Sequence, residues 1–163
     1  MAASPTPRAS PGERLLAQWR RLHALPGGRR IFSALLGRTV PYTGTIHPYV
    51  EALEPGYARV RMRDRRAVRN HLDSVHAVAL MNLAEVASGL ALTVALPAEM
   101  RSILTALSIE YLKKARGTLT AECRCPVPAP VAERREYTIE AVITDAEGDA
   151  VARAEARWLV GPR

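Results

Sequence analysis

The chain has two cysteines and one phenylalanine in 163 residues. Cys123 and Cys125 stand two apart on what reads as a strand, where alternate side chains share a face and the geometry disfavours their pairing, so a disulfide framework is excluded. They read as small core residues. A Cys-x-Cys pair could supply two metal ligands, but no Cys/His pair at metal-site spacing accompanies it, and no metal is expected. Aromatic residues are 5% of the chain, which leaves little stacking surface for single-stranded nucleic acid. A long uninterrupted apolar run is missing too. The nearest approach, Val75 to Leu96, is broken by His76, Asn82 and Glu85, so it makes a poor membrane span and a good buried helix.

Acidic residues are scarce at the beginning: the first fifty residues hold seven Arg and a single acid, Glu13. No continuous apolar stretch of the secretory type follows, so a cytoplasmic protein is expected, although an Arg-rich, acid-poor start also suits an organelle transit peptide.

A chain of 163 residues, 48% of them hydrophobic, can bury one real core and divides poorly into two. The formal net charge of +7 favours anionic partners in general. The arginines are scattered through predicted helices and strands rather than gathered into one arm, so nucleic acid is not the expected partner.

Residues 1–12, rich in Pro, Ser and Ala, read as a disordered leader. Residues 13–38 read as two helices. The first carries Leu15, Leu16, Trp19 and Leu22 at helical spacing and is stopped by Pro26-Gly27-Gly28; the second runs from Arg29 to Leu36. From residue 40 to 163 the pattern describes one domain. Ile46 to Leu53 and Tyr57 to Arg63 alternate about a Glu54-Pro55-Gly56 turn, predicting a hairpin. Val75 to about Leu92 is a helix apolar all round, which must be wrapped. Four strands follow: Ser102 to Leu112, Gly117 to Cys125, Tyr137 to Asp145 and Ala150 to Val160. Two strands, a buried helix and four strands make an α+β arrangement, and the simplest way to bury the helix is to curl an antiparallel sheet around it. That is the hotdog fold, here with an N-terminal helical extension.

Glu85 stands in the middle of the most apolar helix. An ionised carboxylate buried there without partners would cost several kcal/mol, so it must find donors, reach a cavity or take up a proton. It could hydrogen-bond across a subunit interface; as a functional group it suits a general base or nucleophile with a raised pKa. His76 lies nine residues earlier, which turns a helix by about 180° and advances it roughly 13 Å. The two therefore face apart within one chain, and a shared site calls for a two-fold dimer in which His76 and Ala77 of one subunit meet Glu85 of the other. Ala77 falls in the helix's first turn, where backbone N–H groups lack intrahelical partners, and its N–H could stabilise an oxyanion. His76 could otherwise only order the loop, and Asn70 could be an ordinary turn residue.

The run Asn70-His71-Leu72-Asp73-Ser74-Val75-His76-Ala77, followed by Leu83-Ala84-Glu85, resembles the Asn, His-Gly-Gly and Asp/Glu pattern of the hotdog thioesterases related to phenylacetyl-CoA thioesterase. It is most similar to an uncharacterised branch with His-Ala for His-Gly and Glu for Asp. Leu107 to Gly117 also resembles the strand and turn that follow the helix in those enzymes. The resemblance spans residues 40–160 and implies acyl-CoA hydrolysis by a homodimer, with dimers able to pair into tetramers. It implies Glu85 as the catalytic carboxylate, the Ala77 amide as oxyanion donor, and Asn70 and His76 as site-shaping residues. No cofactor is implied, since CoA belongs to the substrate. Its phosphates could be received by Lys113, Lys114 and Arg116, or by Arg65, Arg66 and Arg69. Ala77 and Val78 replace two glycines, which alters the approach of the acyl group. Leu104 stands where some relatives place a polar residue that orients water.

Two other readings are compatible with the residues. His71 precedes Glu85 by fourteen positions, a spacing that resembles the one in hydroxyacyl-thioester dehydratases, but their Pro-rich intervening loop is missing. A non-catalytic acyl-thioester binding or regulatory module of the same fold is the third.

Overall fold

The computed structural model describes residues 9–163, so the leader expected over residues 1–12 lies outside the described residues for its first eight positions. Its last part is not a leader. Helix α1 spans Pro11–Leu22 and starts with a reciprocal cap: Ser10 Oγ accepts from Glu13 N–H at 3.1 Å, and Glu13 Oε2 accepts from Ser10 N–H at 2.7 Å. This capping box satisfies two donors that an uncapped helix would leave orphaned. Helices α2 (Gly28–Thr39) and α3 (Pro41–Gly44) follow. Trp19 of α1 meets Phe32 of α2 edge-on, with ring centroids 5.1 Å apart, and both are buried.

The six strands are β1 (Tyr49–Glu54), β2 (Tyr57–Met62), β3 (Met100–Tyr111), β4 (Leu119–Arg124), β5 (Arg135–Thr144) and β6 (Ala150–Pro162), with helix α4 (Ala77–Thr93) between β2 and β3. They form one antiparallel sheet in the order β1-β2-β4-β5-β6-β3. The expected order of two strands, one helix and four strands holds. Alternation sets the faces: Val50, Ala58, Val60, Met62, Leu119, Ala121, Cys123, Ile143, Ala152 and Ala154 are buried, while Arg59, Arg124, Arg153 and Glu155 between them are exposed. α4 lies against the buried face, placing Leu83, Ala87, Ala91 and Leu92 in the core. This is the hotdog arrangement. Burial pushes the Cys123 thiol up to about 12 and the Cys125 thiol up to about 11, so both stay protonated.

Two findings depart from the sequence expectations. α4 is not wrapped on every side: Ala77, Met81, Glu85, Gly89 and Thr93, spaced by four, are only partly covered along one face. In addition, β3 is not one alternating run. Its pairing with β6 slips between Leu104 and Ala106, so Thr105 is an extra residue in a bulge. The partly covered positions accordingly change from Ser102 and Leu104 to Leu107 and Ile109, because one inserted residue reverses which side chains face the core.

Candidate active site

α4 is introduced by a loop that folds back on itself. Asn70 Oδ1 accepts from Leu72 N–H at 2.9 Å and Ser74 N–H at 3.3 Å, and Asn70 N–H donates to Ser74 O. Asn70 therefore uses its side-chain oxygen to close the turn. Within this turn Asp73 takes φ 51°, a left-handed conformation in which Asp is among the better tolerated residues. Asp64 fastens the loop from outside, accepting from Arg69 Nε at 2.6 Å and from Gly117 N–H at 3.0 Å. The Arg69 guanidinium holds the Asp64 carboxyl below its ordinary value.

The loop delivers His76 as the N-cap of α4. Its Nδ1 accepts from Val78 N–H at 3.1 Å, which puts the ring proton of the neutral imidazole on Nε2. The N–H groups of Ala79 and Leu80 are satisfied by His76 O. The Ala77 N–H finds no acceptor among the described residues, and so remains a free donor at the positive end of a 17-residue helix. Tyr111, at the end of β3, donates its hydroxyl to Ala77 O at 3.3 Å, joining the helix start to the sheet edge. His71 is exposed on the same loop.

Two turns along α4, Glu85 lies on the partly covered stripe. Its carboxylate has no hydrogen-bonding or ion-pairing partner among the described residues, and desolvation alone raises its pKa. Gly89, one turn further, explains the enclosure. A Cβ at residue 89 would sit 3.3 Å from the Trp158 ring and 4.0 Å from Glu85 Oε1, so the absent side chain lets the indole and the carboxylate share one apolar recess. Trp158 is buried with its indole N–H unpartnered. Neither Gly89 nor Trp158 was singled out from the sequence; a glycine inside a strong helical pattern was the available signal.

Ala77 and Glu85 are eight residues apart on one helix, about 12 Å along its axis, so one chain does not bring the free N–H and the carboxylate onto the same carbonyl. His76 and Asn70 stay with Ala77 at the helix start. The expected phosphate receptors are unequal. Lys113 is held by Asp145 at 2.6 Å and Asp149 at 2.7 Å, and Arg116 Nε donates to Asp73 O. Lys114 is exposed. Leu104 is half-buried, whereas the bulged Thr105 donates its hydroxyl to Arg157 O at 3.0 Å.

Comparison with known proteins places this geometry. The domain of unknown function DUF4442 matches residues 28–160. The chain belongs to that family. Among solved structures, the DUF4442 chain is similar to the structural-genomics protein APC5556, with 31% identity over 92% of this chain and 99% of that one and a TM-score of 0.80. It is also similar to PA5026 of Pseudomonas aeruginosa, described as a protein of unknown function and "probable thioesterase" (25% identity, 85% and 97% coverage, TM-score 0.72). A phenylacetic acid degradation-related protein of Ralstonia eutropha JMP134 shares the fold at 18% identity, covering 73% and 89% with a TM-score of 0.62. No curated protein matches the chain. This DUF4442 protein thus shares the hotdog fold of those structures. Among the described residues no helix is long and apolar enough to cross a membrane.

Proposed function

We propose that the protein hydrolyses acyl-CoA thioesters as a homodimer. Glu85 of one subunit acts as base or nucleophile, and the Ala77 N–H of the other acts as oxyanion donor. The carrying observation is Glu85 itself: an unpaired, half-buried carboxylate with a raised pKa, on the face of α4 that the chain leaves partly uncovered. The stripe carries Gly89 beside Trp158 of β6, the neighbour of the outer strand β3, and the Tyr111 hydroxyl ties the end of β3 to the first turn of α4. A second copy packed across β3 in a two-fold manner would bring each Ala77 N–H toward the other subunit's Glu85.

In the base route, Glu85 takes a proton from water as the oxygen adds to the thioester carbonyl. The Ala77 N–H stabilises the resulting oxyanion. Collapse breaks the C–S bond, and the proton passes to the departing thiolate, giving a carboxylic acid and free CoA. A raised pKa suits a base that must return its proton. His76, with Nδ1 occupied by the helix cap, turns Nε2–H outward and shapes the entry to the oxyanion site, while Asn70 holds the loop that presents it.

The test is thiol release from short, medium, long and aromatic acyl-CoAs by wild type and Glu85→Gln, with light scattering to confirm unchanged assembly. Loss of a Glu85 base should lower kcat by roughly 10²–10⁴-fold. A folded, dimeric Glu85→Gln variant with full turnover would sink the assignment. Binding of acyl-CoA by the wild type with no turnover on any substrate would move the protein to the binding-module class.

A further inference from the structure

The fold brings two arginines of α2 beside the basic run that ends β2. A cleft of about 1090 Å³ opens where α2 and α3 meet the start of β1 and the end of β2, and Arg30, Arg38, Arg61, Arg63 and Arg65 line it together with His47. No Asp or Glu is among its lining residues. Of the five guanidinium groups only that of Arg61 pairs with a carboxylate among the described residues: its Nε lies 3.2 Å from Glu51, which Arg59 shares. The Arg65 Nε is buried without a hydrogen-bond acceptor, while the other end of that guanidinium donates to Thr45 O. Five like charges lining one concavity, four of them without a carboxylate partner among the described residues, repel each other, and one carries an unsatisfied donor; both costs would be relieved by an anion with several oxygens. Guanidinium forks match phosphate oxygens bidentately.

The cleft is also built to hold its shape. α2 and α3 touch backbone to backbone: a Cβ on Gly44 would lie 2.4 Å from Gly37 O, so a side chain there would drive the walls apart. His47 is held at φ 50°, a left-handed conformation that is uncommon outside glycine and is often found at functional positions. Tyr49 lies beneath Arg61, whose guanidinium carbon is 4.7 Å from the ring centroid. Ala34, Pro41, Ile46 and Pro48 add an apolar wall. The volume far exceeds that of one phosphate, and a wall of this kind accepts an aromatic base.

We propose that this cleft binds a nucleotide carrying two or more phosphate groups. The turn at Lys113, Lys114 and Arg116 is a weaker candidate, because Asp145 and Glu147 line the same hollow and Lys113 is already neutralised. Two sources carry the shared chemistry: the 3′-phospho-ADP part of an acyl-CoA substrate, or a separate nucleotide. Only the first source rests on the hydrolase reading above.

Calorimetric titration of the intact protein with adenosine 3′,5′-bisphosphate, ATP, AMP and adenosine tests the site without reference to turnover. The bisphosphate or ATP should bind, AMP should bind at least about tenfold more weakly, and adenosine should give no heat, since the phosphates carry the interaction. Arg38→Glu/Arg63→Glu, two exposed positions, should weaken the better ligand by roughly thirtyfold or more at unchanged Tm. Absence of binding by both polyphosphate ligands overturns the proposal, as does affinity unaltered in the double variant. Binding of an oligothymidylate in preference to either nucleotide, lost in the same variant, overturns it in favour of a nucleic-acid surface. The sources separate kinetically. If the double variant raises KM for an acyl-CoA and not for the matching acyl-pantetheine, the nucleotide is the substrate's own; if both KM values hold while the nucleotide is lost, it is a separate ligand.

Discussion

The two edges of the sheet are finished differently. At the β1 edge the chain supplies its own cover: Ser33 of α2 accepts from Val50 N–H at 2.9 Å, and Trp19 and Phe32 close over the hairpin. At the β3 edge no further strand of the described residues pairs outside β3. Ile103 is 62% exposed there, Tyr111 46% and Leu112 45%. An open edge twelve residues long and bearing apolar side chains is an association hazard in a monomer, and the contrast with the helix-covered edge supports the dimer proposed above. The half-covered stripe of α4 with Glu85 begins at Ala77, whose carbonyl accepts from Tyr111 of that edge strand, so the proposed interface and the proposed chemistry would share one surface.

The largest effect should come from attacking the bare edge. Ile103→Glu combined with Leu112→Glu places acidic groups where two copies would meet, and like-charge juxtaposition in an interface costs several kcal/mol. The dissociation constant should rise by roughly a thousandfold, visible as a shift to monomer in light scattering, and turnover should fall with the loss of dimer. A dimer of unchanged stability would place the interface elsewhere and remove the reason for pairing Ala77 with Glu85 across subunits.

The covered edge should respond in the opposite sense. Phe32→Ala empties a site that is 1% exposed and should cost about 3–5 kcal/mol in urea unfolding, while leaving the dissociation constant of the folded protein where it was. Dissociation of the folded dimer on this substitution would show that the helical extension belongs to the interface, and the contrast between the edges would fail.

What the residue pattern disclosed, and what it hid, follows the same division. Periodicity located α4 and the alternating hairpin because each element buries one regular face, and composition marked Glu85 as an expensive residue in an apolar helix. The early start of α1 was hidden by Pro11 and Gly12, which look like leader, although the Ser10/Glu13 pair was a capping signal in plain sight. The Thr105 bulge leaves no mark in a run where both faces carry apolar residues, so the strand expected over 102–112 gave no sign that its facing reverses midway. Gly89 and Trp158 are distant in sequence and meet only through the sheet. The arginine cleft was half legible: Arg59, Arg61, Arg63, Arg65 and Arg66 form a local basic run and Arg65 stands among the expected phosphate receptors, whereas Arg30 and Arg38 of α2 join them only through the fold. Asn70 was legible as a turn former, and the turn is where its oxygen is used.

The smallest effect concerns stability rather than association, and it tests whether Glu85 is as isolated as the comparison requires. Its pKa is raised above the ordinary value by burial, with no donor to offset the cost. For an acid so shifted, the native state holds its proton longer than the unfolded chain. The associated stability is complete below the unfolded-state pKa and is lost as pH rises through the native one, where the charge must form in the recess beside Trp158. Glu85→Gln keeps the shape and removes the titration. The variant should therefore match the wild type in Tm near pH 4 and exceed it at pH 8, the gap opening as pH rises and turnover being lost throughout. In the dimer, a partner N–H that reaches the carboxylate would narrow the gap, so measuring it again in the Ile103→Glu/Leu112→Glu background separates the two contributions. A gap that widens when the dimer is broken means that the partner solvates Glu85, as the shared site requires; a gap of the same size in monomer and dimer means that the carboxylate sits in its own chain's recess and meets nothing across the edge.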